Sequence, residues 1–226
     1  MTLAIVCGMA SEAAIIGQPP SAVVIVGAGD GAALAAKLEA AIAAGVKAVI
    51  SVGICGGLNP ALKVGDVIVG VRVTYELAVA ACDPDWCDRM LEAMMTPALP
   101  FGVTYGTFAW SPTAVARLVD KAALRKATMA DVVDEETFIA GSIAAAHGLP
   151  FAALRVVCDP ANFELPPAAS VKLTAIGAND IGAILASMAG DPGQIPGLVE
   201  LYLYSRTAMT NLEAVLTRVG SDFAHG

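Results

Sequence analysis

Histidine is almost absent from this sequence of 226 residues, where only His147 and His225 occur. Their scarcity excludes most catalytic schemes built on a histidine base and most zinc sites. Charged residues are also few, at 15% of the chain, and the net charge is −8. This acidic balance, with no cluster of lysine and arginine, argues against nucleic acid as a partner. We expect neither a metal ion nor another cofactor.

Cysteines number only five, an odd count, and they are scattered without the spacing of metal ligands. This pattern indicates reduced thiols in a cytoplasmic protein. The first basic residue is Lys37, so the basic segment of a secretory signal is missing. Glycine, proline, asparagine or charge interrupts every apolar run before it reaches the length of a membrane span. We therefore expect a cytoplasmic protein without a transmembrane helix.

Hydrophobic residues, in contrast, make up 57% of the chain. The length fits one α/β domain over residues 1–226 with a substantial core. An oligomer interface or an apolar ligand would explain the surplus apolar surface, although richness in alanine explains much of it. The segment 94–101 contains Met, Leu, Phe and two prolines, and is either a hydrophobic lip around a ligand or an irregular core loop.

Short apolar runs indicate strands at residues 3–7, 22–26 and 48–52, with helical composition at 32–44. This β-loop-α-β order predicts a parallel sheet with a right-handed crossover. Further strands are predicted at 67–73, 102–110 and 151–157, and helices at about 83–95, 112–127, 176–188 and 196–218. The helix at 112–127 is amphipathic, and its predicted solvated face carries Arg117, Lys121, Arg125 and Lys126.

Two glycine-rich segments follow predicted strands. The first, G-A-G-D-G at 27–31, lacks the G-x-G-x-x-G spacing of a dinucleotide site, and Asp30 would face any phosphate. A tight turn between strand and helix is therefore the better interpretation. The second, G-I-C-G-G at 53–57, predicts a close backbone approach to either a ligand or another strand.

Carboxylates surround the predicted strand at 151–157. Asp134 stands at an expected N-cap, and Glu135 and Glu136 stand in the first turn of the following helix. Asp159 lies just past the end of the strand, where open α/β sheets place ligand sites. Each has an ordinary alternative, as a solvated partner of the helix dipole or as a loop residue. Pattern alone does not identify a reaction.

Four motifs together resemble the nucleoside phosphorylase and nucleosidase superfamily. They are G-M-x-x-E at 8–12, G-I-C-G-G-L-N-P-A-L-K-V-G-D at 53–66, V-D-x-E-T at 133–137 and R-V-V-C-D at 155–159. The broad likeness is to methylthioadenosine/S-adenosylhomocysteine nucleosidases. The C-terminal half, with L-P-F-A-A-L-R-V-V-x-D-P-A, L-P-P-A and D-P-G-Q-I-P, is more similar to hopanoid-associated phosphorylases. The resemblance implies a three-layer α/β/α sandwich with a twisted central mixed sheet, and a homodimer.

The resemblance also implies a reaction, cleavage of the bond between a purine and ribose, and a role for each matching residue. Asp159 would donate a proton to purine N7, which requires a raised pKa. Glu136 would bind the ribose hydroxyls and stabilise positive charge on the sugar, while Glu135 stands where the family usually has methionine. Glu12 would activate water. Trp110 would stack on the purine.

The remaining implied binding residues are glycines and their neighbours. Ile54, Cys55 and Gly56 would lie beside the base and present backbone groups, and Gly8 belongs to the same binding set. Hexameric purine nucleoside phosphorylases have arginines where this chain has Ser51 and Glu12. A carboxylate there repels phosphate, which favours hydrolysis, although Arg72 or another arginine could still contact phosphate.

The implied substrate is adenosylhopane, from which adenine would be released in hopanoid biosynthesis. The alternatives are a small 5′-thioadenosine substrate, a phosphate-dependent purine nucleoside phosphorylase, and a nucleoside-binding α/β module without activity. The presence of Glu12, Glu136 and Asp159 argues against the last of these.

Overall fold

A computed structural model describes residues 2–95, 99–171 and 173–225 of the chain. These ranges contain eight strands, which form one mixed sheet. Strands β3, β7, β6, β4 and β8 pair in a closed ring, since β8 also pairs with β3. The strands are β1 (Leu3–Cys7), β2 (Ala22–Val26), β3 (Ala48–Gly57), β4 (Val67–Tyr75), β5 (Ala78–Ala81), β6 (Val103–Trp110), β7 (Val132–Asp134) and β8 (Phe151–Asp159).

Helices cover both faces of this sheet. Helix α2 packs on α5, and α1 and α3 pack on α7, while α5 and α7 both contact β3 and β8. Every residue of β8 is buried, so the two groups of helices enclose the sheet from opposite sides. The sandwich and mixed sheet implied by the resemblance are confirmed. The helices are α1 (Ala10–Ile16), α2 (Gly31–Ala43), α3 (Pro84–Met95), α4 (Leu118–Thr128), α5 (Thr137–Ala146), α6 (Ile181–Gly190) and α7 (Ile195–Val219).

Strand β3 changes partners along one of its edges. It pairs in parallel with β1 as far as Ser51, and antiparallel with β7 from Gly56 onward. Its other edge pairs with β8 from Val49 to Gly56. The strand therefore continues through the second glycine-rich segment, past the end predicted at residue 52. Between β1 and β7, the backbone groups on this edge of β3 have no partner strand and are available to bind side chains.

Two helices begin later than predicted. Helix α4 starts at Leu118, not at residue 112, because Arg117 has extended backbone and pairs with Asp120 in the first turn. Helix α6 starts at Ile181, where Asp180 caps it by accepting from the amide of Ala183. Strand β5 was not predicted, since its four residues carry only a short apolar signal.

The first glycine-rich segment forms the predicted tight turn. Gly29 has a left-handed backbone with φ 69°, and Asp30 caps α2 by accepting from the amide of Ala33 at 2.9 Å. Asp30 thus uses its carboxylate within the helix.

The segment 94–101 packs on the core where it is described. Met94 is fully buried, and Leu99 and Phe101 lie against the main core cluster. These contacts favour the core-loop interpretation for those residues, whereas residues 96–98 of the predicted lip lie outside the described residues. None of the helices in the described ranges is long and apolar enough to cross a membrane.

Candidate active site

Arg155 occupies the centre of the candidate site, although it lies in the middle of an apolar strand. Its side chain is completely buried. Nη2 donates to Ser51 Oγ at 2.8 Å, and to Thr137 Oγ1 and Glu136 Oε2 at 3.3 Å each. Nη1 donates to the Ile54 carbonyl oxygen at 3.4 Å. A buried guanidinium requires this many partners because its desolvation is costly.

Three carboxylates surround the single charge of Arg155. Its Nε lies 3.1 Å from Asp134 Oδ2, an ion pair in which the N–H does not point squarely at the oxygen. Its Nη2 lies 3.3 Å from Glu136 Oε2, and its Nη1 lies 4.0 Å from Glu12 Oε1. Burial would lower the pKa of Arg155, but these carboxylates outweigh it and raise that pKa. The cluster therefore holds three acidic groups for one cation.

Glu12 is held by three backbone amides, one from the edge of β3 that β1 has left and two from the residues that follow β1. Oε1 accepts from the amide of Ile54 at 2.7 Å, and Oε2 accepts from the amides of Gly8 at 2.7 Å and Met9 at 2.8 Å. The side chain is buried, which raises its pKa, while Arg155 and these amides act in the opposite direction. Glu12 is thus fixed in orientation and placed beside a cation.

Asp134 and Glu136 both lie earlier relative to the helix than the sequence predicted. Asp134 ends β7, and its Oδ1 accepts from the amides of Glu136 at 3.0 Å and Thr137 at 2.8 Å. Glu136 is the N-cap residue, so neither it nor Glu135 lies in the first turn of α5. Burial, opposed by Arg155, raises the pKa of Glu136 to about 8. Asp134 still serves the helix, because its carboxylate reaches past the strand end to accept from the amides at the start of α5.

Glycines make room for the Glu136 carboxylate. A Cβ atom on Gly8 would lie 2.9 Å from Oε1, and a Cβ atom on Gly27 would lie 2.9 Å from Cγ. Because real side chains do not approach so closely, both positions favour glycine. This places Gly8 beside Glu136 as well as beside Glu12.

Asp159 ends β8 and pairs with a lysine that was predicted to be solvated. Lys121 is only 1% exposed, and its Nζ donates to Asp159 Oδ2 at 2.6 Å. It also donates to the carbonyl oxygens of Pro160 and Phe163 at 3.0 Å each. Burial raises the pKa of Asp159 to about 6, against the opposing charge of Lys121. The prediction of a solvated Lys121 was wrong, because Asp159 and two carbonyl groups stabilise its charge in the interior.

Trp110 lies in an aromatic cluster beside Glu135. Its Nε1 donates to the Glu135 carbonyl oxygen at 2.7 Å, and its ring meets Tyr75 edge-on at a centroid distance of 4.5 Å. Phe138 is tilted against both rings. Burial and then Asp134 raise the pKa of the half-buried Glu135. The indole is therefore oriented by a hydrogen bond as well as by packing.

Of the nine residues implied by the resemblance, seven lie on or beside the second half of β3 and the buried Arg155, whereas Trp110 and Glu135 lie at the ends of β6 and β7. Cys55 is buried between Ile54 and Gly56, and burial raises the pKa of its thiol well above the usual value. A Cβ atom on Gly56 would lie 3.2 Å from Asp159 Oδ2, and Trp110 pairs with Asp134 across β6 and β7. The nine residues are Gly8, Glu12, Ile54, Cys55, Gly56, Trp110, Glu135, Glu136 and Asp159.

Sequence reasoning gave no role to Arg155 or Lys121. An arginine inside the run F-A-A-L-R-V-V was a usable signal, since a charge in a buried strand needs buried partners. Within the described ranges, no three His, Cys, Asp or Glu side chains group together in a way that could hold a metal ion. The arrangement supplies an oriented carboxylate at Glu12 and a carboxyl of raised pKa at Asp159, which suits acid and base chemistry.

Solved structures with the same fold include nucleosidases from several bacteria. The 5′-methylthioadenosine/S-adenosylhomocysteine nucleosidase of Neisseria meningitidis, in complex with methylthio-immucillin-A, has a TM-score of 0.70 and 16% identity, covering 96% of this chain and 97% of that one. The Colwellia psychrerythraea 34H nucleosidase, in complex with adenine, has a TM-score of 0.68 and 17% identity, covering 96% of each chain. A futalosine hydrolase mutant of Helicobacter pylori has a TM-score of 0.63 and 13% identity, covering 96% and 99%.

Sequence comparison gives the family. No curated protein is significantly similar to this chain. The family model described as the Phosphorylase superfamily matches residues 19–189, which is most of the chain. The chain therefore belongs to the Phosphorylase superfamily.

Proposed function

We propose that the protein hydrolyses the N-glycosidic bond between adenine and the ribose of a 5′-substituted adenosine. The observation that carries this proposal is the environment of Arg155, whose charge is shared by Glu12, Asp134 and Glu136. A phosphate dianion needs surplus positive charge or free amide donors. This cluster offers no surplus positive charge, and the amides around Glu12 are already occupied. Water is the nucleophile that such a site accepts.

Asp159 is the proposed acid for the purine. Its pKa is raised by burial to about 6, so roughly a tenth of the carboxyl is protonated at pH 7, far more than at its usual pKa. The proton would pass to the purine nitrogen as the bond to the sugar breaks, as in the acid step of glycoside cleavage. The resemblance assigns the same role to this residue.

Glu136 is the proposed partner of the sugar. Positive charge that develops on the ribose would favour the ionised carboxylate and lower its pKa from about 8. Interaction with Glu136 would therefore strengthen as the transition state forms, which is the condition for catalysis. Glu135, with its carbonyl oxygen bound to Trp110, would border the same sugar subsite.

Glu12 is the proposed base for water. It lies outside the span 19–189 that the family model matches, so its role depends on the resemblance of G-M-x-x-E and on its geometry. Three amides fix both carboxylate oxygens, and Arg155 adjoins Oε1. A base that is already oriented loses little entropy when it takes a proton.

Adenosylhopane is the proposed substrate, on the resemblance of the C-terminal half to hopanoid-associated phosphorylases. A homodimer is also proposed from resemblance, in this case to the nucleosidases. The exposed apolar residues Val71, Leu77 and Val79 could form part of its interface. The second candidate substrate is methylthioadenosine, because nucleosidases of that compound share the fold. A monomer in light scattering at working concentration would exclude the dimer.

Adenine release in phosphate-free buffer tests the function. The substrates are adenosine, methylthioadenosine and an adenosine with a large apolar 5′ group, and adenine is measured by chromatography. We expect release from the third compound, and its loss in Glu12→Gln and Asp159→Asn but not in the surface variant Asp120→Asn. Turnover of methylthioadenosine alone would favour the second candidate. No release of adenine from any of the three compounds would contradict the proposal.

A further inference from the structure

Lys121 is a charged side chain that the proposed reaction does not yet use. It comes from α4, whose Leu124 packs on a small buried cluster that includes Ala109 and Val133, and only 1% of the lysine is exposed. Its ammonium donates to Asp159 Oδ2, to the Pro160 carbonyl oxygen and to the Phe163 carbonyl oxygen. An ammonium group has three protons to donate, so these three bonds use them all. The side chain is therefore locked in position and aimed at Asp159.

We propose that Lys121 is a positioning residue that holds Asp159 Oδ2 and leaves Oδ1 to carry the proton for the purine. This inference rests on the proposed function, in which Asp159 is the acid. An oxygen that accepts a bond from an ammonium at 2.6 Å is a poor site for a proton. The two oxygens of the carboxyl group are thereby made unequal.

The charge of Lys121 sets the acid strength of Asp159, whereas its position sets which oxygen carries the proton. The ionisable groups that face Asp159 are Lys121 from α4, Cys55 from β3 and Cys158 from β8. Burial raises the pKa of both thiols far enough to keep them neutral, so Lys121 is the charge that Asp159 senses most strongly. Burial alone would make Asp159 a weaker acid than it is with Lys121 present.

The reaction step then balances as follows. The proton on Asp159 Oδ1 moves to the purine nitrogen N7 while the bond between the sugar and the purine breaks, and its electron pair leaves with the purine. Water forms the new bond to the sugar carbon and gives its proton to Glu12. The Asp159 carboxylate that remains is stabilised by the ammonium of Lys121, which has not moved. Exchange with solvent returns a proton to Asp159 and removes one from Glu12.

The pH dependence of Lys121→Met tests this inference. Activity requires protonated Asp159, so it falls as pH rises through the pKa of about 6. Removal of the cation raises that pKa, and we expect the alkaline limb of kcat to move to higher pH. The plateau should fall about 10- to 100-fold because a weaker acid donates less readily, with little change in KM. Lys126→Met, on the exposed side of the same helix, should leave the limb where it is.

A titration that does not need activity separates this inference from the proposed function. Difference infrared spectra against Asp159→Asn report the carboxyl of Asp159 in any folded variant. We expect a higher pKa in Lys121→Met than in the wild type, and an unchanged pKa would overturn the inference. If that variant does not fold, the wild-type ¹⁵Nζ signal of Lys121 should titrate together with Asp159, and an invariant signal would overturn it equally. Wild-type inactivity on every substrate would instead refute the function.

Discussion

The amide of Ile54 donates to Glu12 Oε1 at 2.7 Å, on the edge of β3 between its partners β1 and β7. A backbone amide of β3 that does not pair with β1 thus orients the carboxylate of Glu12, which comes from α1. The change of partners along β3 is therefore the structural origin of the site. It leaves a short stretch of strand edge without a neighbour, and side chains supply the missing hydrogen-bond acceptors.

Gly53→Ala tests the close packing at this edge. A Cβ atom at position 53 would overlap Glu12 Oε1 and Arg155 Nη1. We expect a loss of about 1–3 kcal/mol in unfolding free energy, the usual cost of overpacking, together with strongly reduced turnover. Urea unfolding and an adenine-release assay measure the two effects. The control is Gly190→Ala at the end of α6, where a Cβ atom meets nothing within 4 Å; equal stability of both variants would contradict the packing described here.

Arg155→Met should lower the unfolding free energy far more than removal of an arginine at the surface. The substitution leaves Glu12, Asp134 and Glu136 buried without their cation. The expected cost is about 3–5 kcal/mol of unfolding free energy, measured by urea titration at pH 7. Arg117→Met removes an exposed ion pair with Asp120 and should change stability little. Similar losses in both variants would show that Arg155 does not organise the cluster.

The raised pKa of Glu136 predicts how stability depends on pH. Its pKa rises from 4.5 to about 8 on folding, so the folded protein binds more protons than the unfolded chain between those values. The contribution of Glu136 to stability should be complete below the lower value and should be lost as pH rises towards 8, and the raised pKa of Asp159 adds to the decline up to about pH 6. Urea unfolding from pH 5 to 8 measures the slope. Glu136→Gln should flatten it, whereas the exposed Glu213→Gln should not; an equal slope in both would be evidence against the raised pKa.

Asp159→Asn should affect turnover far more than binding. An amide cannot donate the same proton, and donation strengthens as the base leaves. We expect kcat to fall about 10²- to 10⁴-fold with KM changed only slightly. Steady-state kinetics on the preferred substrate measure both, with Asp120→Asn as the surface control. Turnover near that of the wild type would remove Asp159 from the role of acid.

The strands were easier to predict than the side chains that meet between them. Leu3–Cys7 and Ala22–Val26 have the predicted bounds, because glycine or proline follows or precedes each apolar run. Strand β3 was predicted too short, since local rules cannot show that β8 continues to pair beyond residue 52.

Lys121 shows why the site itself was only partly predictable. With Arg117 and Arg125 it forms a stripe at intervals of four residues, and such a stripe is typical of a solvated face. Here Asp159 reaches Lys121 from the end of β8, and that pairing depends on the tertiary fold. Arg155 was treated only as part of the R-V-V-C-D motif, and its role was missed. Its apolar neighbours nevertheless indicated that it would be buried. The residue pattern pointed to Glu136 and Asp159 as candidates, but Glu12 and the roles of all three carboxylates are predictions from the resemblance, which carries three-dimensional information that spacing does not.

Hydrolysis is tested most directly by the sugar product that forms at a saturating concentration of phosphate. The wild-type protein is incubated with a 5′-substituted adenosine that it cleaves, and the product is identified by mass spectrometry. A free sugar, formed at a rate that phosphate does not change, is the result expected of a site in which three carboxylates share the charge of Arg155. A sugar 1-phosphate, formed at a rate that rises with phosphate, would contradict it.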